Sequence, residues 1–169
     1  MSTNDLSEIR ALITQWAHAT RSKDLDLLMS LYAPEATTYD LAPPLEHDVA
    51  ALREQLADWF PGFDGPVDYA IGDDLHIAAH GDVGFSHSLD RLGGKLHSGG
   101  EFNIWVRVTM GFRRIGNAWM VAHVHTSVPF YMDGSFKAAV DLAPLSADPT
   151  TDQRQKERKH GPAKNCNAR

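Results

Sequence analysis

Hydrophobic residues recur along this chain with two periods, and the change from one to the other divides it. Between residues 5 and 21, Leu6, Ile9, Leu12, Ile13, Trp16 and Thr20 fall at three- and four-residue steps, the spacing of one helix face. Asp5 and Glu8 stand as a capping pair at its start, so a first helix is expected over 5–21. A shorter helix follows from Asp24 to Tyr32 and is stopped by Pro34. Thr37-Thr38-Tyr39-Asp40 has the β-branched and aromatic character of a short strand before the turn-forming Ala42-Pro43-Pro44. A third helix is expected from about Asp48 to Phe60, with Val49, Leu52, Leu56 and Trp59 as its apolar stripe and Pro61-Gly62 at its end.

After Pro66 the period becomes two. Val67, Tyr69 and Ile71, then Leu75, Ile77 and Ala79, then Val83, Phe85, His87 and Leu89 alternate with polar residues, each run closed by Gly or Asp turns. Gly72-Asp73-Asp74 interrupts the first run and suggests a bulge, a device that bends sheets. Two longer runs, Phe102–Arg114 and Ala118–Phe130, form a hairpin around Gly116-Asn117. Phe102, Ile104, Val106, Val108, Met110 and Phe112 share one face of the first, and Asn103, Trp105, Arg107, Thr109 and Arg113 the other. The predicted fold class is α+β: a cone-shaped, strongly bent antiparallel sheet with three N-terminal helices over its concave face. One domain covers 1–145, and 146–169 is polar with almost nothing to bury, so disorder is expected there.

Composition narrows the function. A net charge of -6 and a pI near 5.8 argue against nucleic acid, whose phosphates require clustered Lys and Arg. The single cysteine, Cys166, allows neither a disulfide framework nor a thiolate metal cluster. No apolar run approaches a membrane span and no leader pattern opens the chain, so a cytoplasmic protein that does not engage membranes is expected.

The order of elements, with Lys23-Asp24-Leu25-Asp26, Leu31-Tyr32-Ala33-Pro34-Glu35-Ala36, Tyr39-Asp40, Arg113 to Trp119, His123 to Phe130 and Asp141-Leu142-Ala143-Pro144, resembles the nuclear transport factor 2-like superfamily. Within it the chain is most similar to the SnoaL-like branch, over roughly residues 5–145. The superfamily holds ketosteroid isomerases, epoxide hydrolases, dehydratases, polyketide cyclases and purely associating domains, so the resemblance implies a pocket without fixing its chemistry. It places Asp40 where ketosteroid isomerases keep their proton-shuttling aspartate. It places Trp16 and Thr109 where those enzymes have their oxyanion-hole donors, which makes steroid isomerisation an unexpected activity here. By similarity to the calmodulin-dependent kinase association domain, His87 and Trp59 would line the pocket.

The residues add their own constraints. Asp40 either acts as a partly desolvated base or caps the following turn. His87 sits among Val83, Phe85 and Leu89, either as a satisfied core histidine or as an acid/base partner of Asp40. Arg107 should meet a carboxylate such as Asp40, Asp90 or Glu101, or else anchor an anionic substrate group.

His123 and His125 alone are weak evidence for a metal, and none is expected. A two-residue Gly116-Asn117 turn pairs Ile115 with Ala118, Thr109 with Val124 and Arg107 with Thr126. A three-residue loop would pair Thr109 with His123 and Arg107 with His125; the glycine-first turn favours the former. On the favoured register both histidines join Val106 and Val108 on an outer apolar face, expected to be covered by a homodimer.

The sequence thus predicts a cofactor-independent isomerase, cyclase or dehydratase with Asp40 and His87 as catalytic residues. Trp16, Trp59, Arg107, Thr109 and Thr126 would contact a small apolar or carboxylate-bearing molecule. A non-catalytic homodimeric binding or association module is the alternative.

Overall fold

The computed structural model describes residues 3–145, so the tail for which disorder is expected lies outside the described residues. The chain runs α1 (Thr3–Ser22), α2 (Leu25–Ser30), β1 (Tyr32–Tyr39), β2 (His47–Asp48), α3 (Val49–Trp59), a 3-10 turn (Phe60–Gly62), β3 (Asp68–Ala70), β4 (His76–His80), β5 (Val83–Lys95), β6 (Glu101–Ile115) and β7 (Ala118–Ser127). The three helices fall where their apolar spacing puts them. Asp24 accepts the Leu27 N–H at 3.0 Å and starts α2, and Asp48 accepts the Ala51 N–H at 2.8 Å and starts α3.

The strands form one large curled, unclosed sheet in the order β2-β1-β7-β6-β5-β3, with β4 also paired to β5. It is mixed, because β1 runs parallel to β7 while the other pairs are antiparallel. Residues 71–75 link β3 to β4 and span only Ser88–Asp90 of the shared partner β5, the interruption that Gly72-Asp73-Asp74 foretells. Helix α1 packs on β3, β4 and β7, and α3 on β1 and β2. Gly84 permits the close approach of α1: a Cβ there would lie 2.8 Å from the Ile9 side chain. At the other end Arg114 pairs with Asp5 and Glu8 of α1 and stacks 4.6 Å over the Trp119 ring, tying the hairpin to the first helix.

The hairpin turn has two residues, with Ile115 opposite Ala118 and a positive φ at Gly116 but not at Asn117, as a glycine-first turn requires. The register does not persist. Phe112 pairs with Val121 and Gly111 with His123, so Ala122 is an extra residue in β7. Beyond this bulge Thr109 meets His125, Val108 meets Thr126 and Arg107 meets Ser127, which corrects both registers considered from the turn alone.

The faces also differ from expectation. Val106, Val108, Met110 and Phe112 are at most 3% exposed and share one core with Ile9, Leu12 and Ile13 of α1, so the apolar face of β6 is the helix-packed face. Arg107 and Thr109 lie on the outer face.

Candidate functional site

A cavity of about 220 Å³ opens between the helices and the helix-packed face of the sheet. Trp16 enters it from α1, Tyr32 and Thr38 from β1, Gln55 and Trp59 from α3, and Tyr69 from β3. Ile104, Val124 and Thr126 of the hairpin form its floor, and Tyr39, Asp40 and Leu41 its edge where β1 ends. Tryptophan, tyrosine and phenylalanine side chains share the wall with leucines, Ile104 and Val124.

Asp40 carries the one acidic side chain among the lining residues, and no Lys, Arg or His lines the cavity. Its Oδ1 accepts the Leu41 N–H at 2.7 Å and its Oδ2 accepts the Gln55 side-chain N–H at 3.2 Å. Those two donors hold the carboxylate without neutralising its charge. Because Gln55 gives its N–H to Asp40, its Oε1 is left buried with no partner among the described residues, as is Thr38 Oγ1.

Two phenols complete the wall. Tyr32 Oη accepts the Trp16 indole N–H at 2.9 Å. Burial pushes its pKa above the ordinary phenol value; the bond from Trp16 works the other way, and the nearby negative charge of Asp40 adds to the rise. Tyr69 donates to Asp90, whose other oxygen accepts the Gly72 N–H at 3.0 Å. Burial raises the Tyr69 pKa, and the Asp90 charge and hydrogen bond raise it further. Trp16 meets the Tyr69 ring edge-on at 5.3 Å, so the Asp90 bond holds one wall of the cavity against another.

Of the residues singled out from the sequence, the cavity gathers Trp16, Asp40, Trp59 and Thr126. His87, Arg107 and Thr109 lie across the sheet, on the outer face. The reason is the pairing of β5 with β6. Ser86, Ser88 and Asp90 stand opposite Met110, Val108 and Val106, so they share the helix-packed face and are buried; His87 and Leu89 stand opposite Thr109 and Arg107. The apolar neighbours Val83, Phe85 and Leu89, which suggest an inward face for His87, point outward with it. Asp90 is accordingly no partner of Arg107, nor is Asp40.

Tyr32, Gln55 and Tyr69 with Asp90 are functional candidates that the sequence reading does not single out. Gln55 had a signal: Leu52, Gln55, Leu56 and Trp59 fall at helix-face spacing, which makes it the polar member of an apolar stripe. Tyr32 had none, because a residue just before Pro34 reads equally well as a helix end.

No helix among the described residues is long and apolar enough to cross a membrane. No curated protein matches the chain. Solved structures do. A nuclear transport factor 2-like protein of unknown function from Pseudomonas putida is 33% identical, with a TM-score of 0.76 over 85% of this chain and 99% of that one. A nuclear transport factor 2-like superfamily protein from Salmonella enterica (15% identity, TM-score 0.69, 80% and 99% of the two chains) and a ketosteroid isomerase-like protein from Erwinia carotovora (16%, 0.64, 75% and 97%) share the fold. The SnoaL-like domain model matches residues 9–131, which take in the cavity and every strand around it, and the chain therefore belongs to the SnoaL-like family of the nuclear transport factor 2-like superfamily.

Proposed function

We propose that this protein, a member of a small-molecule-binding family, moves a proton on a small apolar ligand without a cofactor, with Asp40 as the base. The observation that carries this is a carboxylate held by Leu41 and Gln55 at the edge of an apolar cavity whose lining offers it no cation. On an enolisable ketone Asp40 takes the proton from the carbon beside the carbonyl. The C–H electron pair then moves into the carbonyl and charge develops on its oxygen. Tyr32 supplies the hydrogen bond to that oxygen, since its own oxygen already accepts the Trp16 N–H and its proton remains to be donated. The proton returns from Asp40 to the same carbon or to a conjugated one, giving exchange or isomerisation. His87 and Arg107 take no part, because the sheet separates them from the cavity.

The test is deuterium exchange at the α-carbon of 2-tetralone, an enolisable bicyclic ketone, followed by NMR. Asp40→Asn should slow the protein-dependent rate by about 10²-fold or more with affinity retained. An unaltered rate in that variant overturns the assignment of the base. Binding with no exchange above buffer in the wild type leaves a non-catalytic binding module.

A homodimer through the outer sheet face remains our proposal, supported by other residues than those first expected. Val83 and Phe85 are 59% and 48% exposed there, beside His76, His87, His125 and Tyr39. Such a face, aromatic and short of carboxylates, has the composition of a protein interface.

A further inference from the structure

The cavity joins three features that together select ligands by charge. Aromatic rings, among them Trp16, Tyr32, Trp59 and Tyr69, form part of its apolar wall. It holds one carboxylate, that of Asp40, and no cationic side chain. Gln55 Oε1 is also a buried acceptor without a donor, and the Thr38 hydroxyl, which can give or take a hydrogen bond, has no partner among the described residues. An anionic ligand would enter this space beside a like charge, with no cation to offset the loss of its hydration. A protonated amine meets the opposite conditions: a carboxylate to pair with, aromatic rings that can attract a cation, and the unpartnered Gln55 Oε1 to accept from its N–H. The guanidinium that would have received a carboxylate, that of Arg107, is on the other side of the sheet.

We infer that the cavity takes an apolar amine in its protonated form, paired with Asp40, and refuses the carboxylate of the same shape. This rests on the cavity being the ligand site but not on Asp40 acting as a base. An amine seated there occupies the position from which Asp40 would reach a carbon acid, so apolar amines act as competitive inhibitors of any proton transfer at the site. Size sets the scale of the ligand. A cavity of 150 Å³ is known to admit benzene, so about 220 Å³ suits a two-ring molecule.

The experiment uses three molecules that differ in charge at nearly constant shape: 1-naphthylmethylamine, 1-naphthylmethanol and 1-naphthoate, titrated calorimetrically into the full chain at neutral pH. The expected order is amine, alcohol, carboxylate, each step about tenfold or more in Kd, the equivalent of one partly desolvated charge contact. In Asp40→Asn the amine and the alcohol should bind within about threefold of each other, and the carboxylate should gain, while the alcohol itself is little changed. Asp40 lies beyond the end of β1 and is only half-buried, and circular dichroism checks that the variant folds. Should it not fold, the wild-type order decides alone. Carboxylate binding as tight as the alcohol's, an amine no tighter than the alcohol, or an amine preference that survives in Asp40→Asn each overturns the inference. The charge order without ketone exchange would leave this inference standing and remove the catalytic one; exchange without the charge order would do the reverse.

Discussion

The two faces of the sheet obey the same alternation and reach opposite outcomes. On β6 the apolar set, Val106 to Phe112, is buried against the helices and the polar set is exposed. On β5 the assignment is inverted: Ser86, Ser88 and Asp90 are buried, while Val83 and Phe85 are exposed. The strands are paired residue by residue, so only one of them can send its apolar set inward. The larger stripe of β6 takes that place. β5 can present polar groups to the interior because Asp90 is satisfied by Tyr69 and Gly72. Burial of a hydrophobic residue is thus decided by the partner strand as much as by the residue's own run.

The sharpest way to break this contrast is to truncate the same residue type on each face. Phe112→Ala, at 1% exposure, should cost about 3–5 kcal/mol in urea denaturation. Phe85→Ala should stay within about 0.5 kcal/mol for the monomer. Equal losses would mean that the two faces are not distinct environments.

Alkaline titration probes the interior side alone. The folded-state pKa values of Tyr32 and Tyr69 are raised above the unfolded value. Their stabilisation is therefore complete below about pH 10, the unfolded phenol range. As pH rises toward the folded-state values it is lost, by about 1.4 kcal/mol per pH unit for each phenol. Phenolate absorbance from these two residues should appear together with the loss of circular dichroism, and Tyr32→Phe should make the slope shallower. Phenolate absorbance from all four tyrosines well before unfolding would show the cavity to be open to bulk water.

The smallest effect on folding belongs to the outer face, where association is the measurement. Sedimentation velocity should show a dimer at pH 8, weakened by Phe85→Asp, which sets a carboxylate on the proposed interface. A monomer at all concentrations removes the proposed interface.

Helices and strands were legible in this sequence because each rests on a local period and local turns: the second and third helices begin beside Asp24 and Asp48, which the structure shows to be their caps, and Gly116 turns as a first-position glycine should. Asp40, Trp16 and Trp59 were legible through family resemblance and helix-face spacing. His87, Arg107 and Thr109 were misplaced because the side a strand turns to the helices is a property of the whole sheet, which no single run records. Tyr69 and Asp90 join residues from two strands, 21 positions apart, and no periodic signal links them.

The extra residue in β7 decides which of its side chains line this pocket. Were Ala122 instead paired with Gly111, with no bulge, the turn and the strand would survive, but everything beyond would exchange sides. Val124 and Thr126 would leave the cavity floor for the outer face, and His123 and His125 would replace them. A cavity lined by one carboxylate and no histidine would then hold two imidazoles with no residue replaced. The bulge, and not the identity of any one residue beyond it, is what turns Val124 and Thr126 to the cavity and His123 and His125 away from it.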